Sequence, residues 1–328
     1  MITKIALALL ITLLPNTLNA GQAPSTLASM RFLYPTLSGT FAATWIAKEA
    51  GYFAAEGLEV ELIRVGGSTR IVAAMLGGSA PIIHAGATAS MAASAAGSDS
   101  VIIGCMSNVS PFHLMARPEI KQPSDLRGKK AGVSAFGATS DFLVRLALRK
   151  FGLEPGKDVA ILPTGGEAEA FAALQAGSVQ IAALAYPSYI QAQRMGMKEL
   201  VNFSEVGFEA VNAALVSTKT YLTQNRDQAT RFMRAYVRGM QRYGADKEFS
   251  KKVLSKYLRS TDAEILEASW KDVAPNLLRV PKPSTKAIQF IIDGQFKDKN
   301  PPPRPETFVD TSIIDQLDRS GFIDSVYK

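Results

Sequence analysis

Little in this chain of 328 residues is suited to covalent or metal chemistry. There is a single cysteine, Cys105, so no disulfide can form within the chain. It sits in the apolar run Val101–Met106 and reads as a small buried side chain. Two histidines, His84 and His113, with one cysteine make no metal cluster at ligand spacing. There is no Gly-x-x-x-x-Gly-Lys-Ser/Thr phosphate loop and no dinucleotide fingerprint, so neither an ATPase centre nor a nicotinamide site is expected. The formal net charge is +7, but the Lys and Arg residues are scattered and the aromatics are not interleaved with them. Nucleic acid is therefore not an expected partner. The apolar run Ile5–Leu14 falls short of the roughly 20 helical residues that span a bilayer.

That run follows Lys4 and is broken by Pro15 and Asn16, which is the pattern of a secretory signal over residues 1–20. Cleavage is expected after Ala20, with Ala23 as the alternative. No cysteine follows the run, so a lipid anchor is not expected. An exported chain without disulfides fits a bacterial periplasm. The remaining length fits about two domains.

One stretch occurs twice, 99 residues apart. Gly66-Gly67-Ser68 leads through a helical segment to Gly78-Ser79, and Gly165-Gly166-Glu167 leads through a similar one to Gly177-Ser178. Two copies are too few for a solenoid. They suggest two similar α/β lobes, each presenting a strand, a Gly-Gly turn and a helix N-terminus. Such a turn aims unpaired N–H groups outward and suits a polar or anionic ligand group.

Around the repeats, short apolar runs alternate with helices of about ten residues. Strands are expected at 30–35, 59–65, 81–85 and 100–106, with helices at 41–50, 68–77 and 88–96. This pattern predicts a largely parallel sheet covered on both faces. Ligands bind such sheets beyond the carboxyl ends of the strands, which selects loops 34–40, 66–69, 84–88 and 107–111. A breaker-rich connector, 117–130, precedes a second unit with strand 131–134, helix 140–151, strand 158–163, the second repeat, helix 187–195 and strand 199–203. Residues 211–217 read as a strand returning to the first unit. The rest is mainly helical.

Several segments carry a resemblance: Ala47-Lys-Glu-Ala-Gly-Tyr-Phe-Ala-Ala-Glu-Gly-Leu-Glu-Val60, the Gly-Gly-Ser turn, Leu126-Arg-Gly-Lys-Lys-Ala-Gly-Val133 and Ala173-Leu-Gln-Ala-Gly177. With the signal segment, they resemble the SsuA/THI5-like (NMT1-like) family of periplasmic substrate-binding proteins. That family includes binders of nitrate, alkanesulfonates, taurine and thiamine-precursor pyrimidines. The resemblance implies a type II periplasmic-binding fold, two α/β lobes joined by two crossings around a central cleft. The crossings are expected near 113–118 and 209–214. Lobe 1 would be 28–115 plus 212–328, and lobe 2 would be 116–211. It also implies a non-enzymatic, monomeric component of an ABC importer, without cofactor. Its partners would be a small-molecule solute, a permease and a separate ATPase subunit. The alternatives are an enzyme on the same fold, related to thiamine-pyrimidine synthesis, and a ligand-sensing partner of a membrane receptor.

The candidate ligand-binding residues follow from the loops and the resemblance. Gly66, Gly67, Ser68 and Thr69 form the first turn, and the second-lobe loop contributes Phe136, Gly137, Ala138, Thr139 and Ser140. Tyr34, Leu37 and Ser38 follow the first strand. His84, Ala87, Thr88 and Asn108 lie in the other strand-end loops, and His84 reads either as a structural residue or as a contact. Tyr186 offers an aromatic wall. Glu167 takes the place of Ser68 in the second repeat, where it would complement a helix dipole or bind an amine or ring N–H. The expected solute is a small anion or a heteroaromatic organic molecule.

Overall fold

The computed structural model describes residues 27–328 except Phe208 and Lys297; the expected signal segment lies outside the described residues. The first sheet is built on β1 (Ala28–Tyr34), which pairs in parallel with β2 (Leu58–Arg64) on one side and β3 (Ile82–Ala85) on the other. With β4 (Ser100–Ser107) and β10 (Asn212–Thr218) its order is β2-β1-β3-β10-β4. The second sheet contains β5 (His113–Ala116), β6 (Lys130–Val133), β7 (Ala160–Pro163), β8 (Ile181–Leu184) and β9 (Lys198–Asn202), in the order β7-β6-β8-β5-β9. The two orders are equivalent, as the sequence repeat implies.

Neither sheet is wholly parallel. β10 runs antiparallel to both β3 and β4, and β5 runs antiparallel to β8 and β9. Each of these strands arrives from the other sheet, so it enters from the end opposite to its neighbours. The chain changes sheet over 108–112 and again over 203–211. Residues 113–115, which the sequence reading placed in the first lobe, pair with β8 in the second sheet. The polar breakers that marked the boundary follow β5 instead of preceding it.

The central strands are mainly apolar because helices cover both faces. In β3, Ile82 faces the core packed by α1 (Ala42–Glu49), and Ile83 faces the opposite core. A one-turn helix, α2 (Tyr52–Ala55), leads into β2. α3 (Ser68–Leu76) and α4 (Ala87–Ala95) pack on the Ile83 side. In the second unit, α5 (Thr139–Lys150) covers one face and α6 (Glu167–Ala176) with α7 (Ser188–Arg194) the other. After β10 come α8 (Lys219–Gln224), α9 (Arg226–Ala245), α10 (Lys247–Leu258), α11 (Ala263–Val273), α12 (Thr285–Gln295), α13 (Ser312–Arg319) and α14 (Phe322–Val326). Of these, α12 completes the Ile83-side core, while α9 buries Phe232, Tyr236 and Tyr243 under the first sheet. Among the described residues no helix is long and apolar enough to cross a membrane.

Candidate functional site

The carboxyl ends of β1, β3, β6 and β8 open onto one cleft between the two sheets, with a volume of about 760 Å³ counting its mouth. Its lining divides by origin. Pro35, Thr36, Thr40, Phe41, Gly67, Ser68, Ala85 and Gly86 come from the first unit. Ser134, Thr139, Ser140, Glu167, Ala170, Ala183 and Ala185 come from the second. Ser110, Pro111, Phe112 and residues 210–213 come from the crossings and the start of β10. The walls are mainly apolar, and Glu167 is the only charged side chain among the lining residues.

The 99-residue repeat reappears as a matched pair of hydrogen bonds. The Gly86 N–H donates to Ser68 Oγ at 2.8 Å, and the Ala185 N–H donates to Glu167 Oε1 at 2.9 Å. Each bond closes the strand end onto the first residue of the preceding helix. Ser68 keeps its hydroxyl hydrogen for a ligand, whereas Glu167 offers only acceptors when ionised. Burial pushes the Glu167 carboxyl up to about 7, against the bonds from the Ala185 N–H and the Ser188 side chain. On the α5 side, Ser140 Oγ accepts from the Ser134 N–H at 3.0 Å and pairs with Ser134 Oγ at 2.9 Å. Ser110 is 2% exposed and its hydroxyl has no hydrogen-bond partner among the described residues.

The two units touch across the mouth, so the cleft is closed. Thr69 Oγ1 donates to the Phe136 carbonyl at 3.0 Å, and Thr88 Oγ1 lies 3.5 Å from Thr139 Oγ1. Two glycines make this approach possible. A Cβ on Gly66 would fall 2.7 Å from the Gly165 carbonyl oxygen, and one on Gly86 would fall 2.3 Å from Thr139 Oγ1. Both separations are shorter than any side chain tolerates.

Of the expected contacts, Gly67, Ser68, Thr139, Ser140 and Glu167 line the cleft. Gly66, Thr69, Thr88 and Phe136 belong to the seam between the units instead. The others are placed elsewhere. Tyr34 is buried against Trp45, with ring centroids 5.6 Å apart. Leu37 packs on the same core, and Ser38 caps the short turn at Gly39–Phe41. His84 is fully buried among Phe32, Phe41 and Tyr236; Nδ1 faces the Ala214 carbonyl at 3.3 Å, and burial lowers its pKa to about 3. Ala87 is buried in the Ile83-side core. Asn108 holds the stretch near Ser284, accepting from its N–H at 3.1 Å. The Gly137 N–H is taken by Asp141 at 2.9 Å, and Ala138 is buried in the turn before α5. Tyr186 is fully buried and its hydroxyl donates to the Ile265 carbonyl. Side chains alternate in direction at strand ends, and the tertiary pairing of each strand decides which of them face the cleft. Of the crossing residues that line the cleft, Ser110 and Pro111 fall in the loop 107–111 selected from the sequence, whereas Phe112 and 210–213 were not marked, because only the tertiary arrangement folds both crossings against the strand ends.

The two sheets and their helices define a two-lobed α/β protein with a cleft between the lobes. The NMT1/THI5-like family matches residues 38–248, and the chain belongs to that family. A putative binding protein, YtlA, from Bacillus subtilis (strain 168) is 23% identical over 229 residues, 68% of this chain and 69% of the relative. Among solved structures, a protein from Bordetella bronchiseptica RB50 aligns with a TM-score of 0.78 at 20% identity, over 89% of this chain and 98% of that one. The alkanesulfonate-binding protein SsuA from Xanthomonas axonopodis pv. citri, bound to MOPS, aligns with a TM-score of 0.70 at 20% identity, over 85% and 95%. The architecture is the type II periplasmic-binding fold.

Proposed function

We propose that this protein captures a small organic solute in the cleft and delivers it to the permease of an ABC importer in the periplasm, as a monomer, with the ATPase on another chain. The lobes in this reading are 28–107 with 212–328, and 113–202. The observation that carries it is a closed cleft with apolar walls and one charged group, Glu167. No Lys or Arg lines it, so a fully ionised sulfonate or nitrate would have helix N-termini and hydroxyls as its only counter-groups. Glu167 beside them favours a solute with an N–H or amine donor next to an acceptor, carried on an apolar or heteroaromatic body. Family membership and the likeness to binding proteins support the binding role. Against an enzyme, Cys105 is buried in the core with its thiol pushed up by burial, and neither histidine lines the cleft.

Native mass spectrometry of the purified protein, followed by denaturing release, tests this. A stoichiometric small molecule bearing an N–H donor is the expected result. Release of a sulfonate or an inorganic anion would overturn the solute class, and turnover of an added compound would overturn the binding role. The Glu167→Gln variant keeps the acceptor for Ala185 but loses the charge. It is expected to weaken binding of the released solute by at least about tenfold, the worth of one charged hydrogen bond, in calorimetric titration.

A further inference from the structure

A second cavity, of about 380 Å³ counting its mouth, lies beside the crossings. It is lined by Ser107, Ser110 and His113 on one side, Ser204 and Asn212 on another, and Asp272 and Asn276 at the carboxyl end of α11. Two of its polar atoms, Asp272 Oδ2 and the hydroxyl of Ser110, are buried without a hydrogen-bond partner among the described residues. Ser110 itself is 2% exposed. Asp272 forms no ion pair among the described residues; the basic side chain in the lining, His113, has its Nδ1 engaged by Glu199, and its charge also acts on the Asp272 carboxyl, which burial raises. The amide nitrogens of the two asparagines are also engaged. Asn276 Nδ2 donates to the Asp272 carbonyl at 3.1 Å, and Asn212 Nδ2 donates to Ser107 Oγ at 3.4 Å. Besides the second ring nitrogen of His113, what the lining has left to offer is acceptor oxygen: one carboxylate, two carboxamide oxygens and serine hydroxyls.

A buried carboxylate without a partner is costly, and it escapes that cost either by keeping its proton or by gaining a counter-charge. A single carboxylate among neutral hard-oxygen donors matches a single positive charge. We propose that this cavity binds a monovalent cation of the alkali or ammonium class through Asp272, Asn276 and Ser110. The site would link α11 to the 108–112 crossing. It does not include Glu167, but it borders the solute cleft, with which it shares Ser110 and Asn212.

The test is thermal unfolding of the solute-free protein in sodium, potassium, ammonium and choline chloride at one ionic strength and one pH. Choline, whose charge is covered by methyl groups and cannot be approached closely by ligating oxygens, serves as the reference. At least one small cation is expected to raise the midpoint by about 3 °C or more over choline. In Asp272→Asn that difference is expected to vanish while the midpoint in choline stays equal or rises, because the buried charge is gone. Asn276→Ala, which keeps the charge, should shrink the difference. Equal midpoints in all four salts would overturn the site. So would an undiminished cation response in both variants, or a midpoint that follows pH alone through Asp272, which would mean the carboxyl keeps its proton.

Discussion

Glu167 and His84 are both titratable groups near strand ends, yet burial acts on them in opposite directions. Glu167 has a folded pKa of about 7 against an ordinary 4.5, so the folded protein holds a proton that the unfolded chain has already lost. Stability from this group is present below pH 4.5 and is lost as pH rises to about 7. Glu167→Gln removes that loss. Its unfolding midpoint should match the parent near pH 4.5 and exceed it above pH 7 by roughly 4 °C, for about 2 kcal/mol after discounting for the solvent in the cleft. His84 is lowered from 6.5 to about 3, so its stability is present above 6.5 and is lost as pH falls toward 3. In His84→Leu the acid arm of the midpoint-against-pH curve should flatten, while solute affinity at neutral pH stays the same. A drop in affinity would place His84 in the site after all.

At the level of elements, the two turn-helix units do more than shape the cleft. Their first residues, Ser68 and Glu167, bind the strand-end N–H groups of Gly86 and Ala185, so each helix N-terminus is fixed to its neighbouring strand. The seam between the units then depends on missing side chains. Gly66→Ala would set a methyl 2.7 Å from the Gly165 oxygen, a backbone atom that cannot rotate away. This variant should keep its solute-free unfolding midpoint within about 1 °C, because the open form has no collision. Its solute affinity should fall at least about tenfold, a cost of about 1.4 kcal/mol of closure. Small-angle scattering is expected to show no compaction when solute is added. Gly86→Ala should behave likewise, with partial recovery when Thr139 is also Ala, since the clash there is with a side-chain oxygen.

Across the whole molecule, the contacts that hold the two units together lie behind the cleft as well as at its mouth. The Tyr186 hydroxyl bonds the Ile265 carbonyl, and Arg194 pairs with Asp262 and Glu264 at the start of α11. The first bond is buried and the pairs are exposed. Tyr186→Phe should therefore cost about 1 kcal/mol by denaturant titration, independent of salt. Arg194→Ala should cost less than about 1 kcal/mol and lose that cost in high salt. A larger, salt-insensitive loss for Arg194→Ala would show that the pairs are coupled to hinge geometry.

The sequence by itself determined the elements and their duplication. Apolar runs such as Ile82-Ile83 and Val101–Met106 read as strands buried on both faces, and the matched Gly-Gly turns announced two related units. It also marked Gly67, Ser68, Thr139, Ser140 and Glu167, because helix N-termini after strands carry free N–H groups wherever they occur. Only the tertiary structure decided the rest. Side-chain direction at the end of a strand follows register, so Tyr34 and His84 turned into the core while Thr40 and Phe41 reached the cleft. The antiparallel insertion of β10 and β5, and the crossings that bring Ser110 and Asn212 against distant loops, rest on contacts between residues far apart in the chain, such as His113 with Leu184 and Ala214 with Ala85. Local pattern carries no record of such contacts, since burial there is set by whichever segment arrives to cover it.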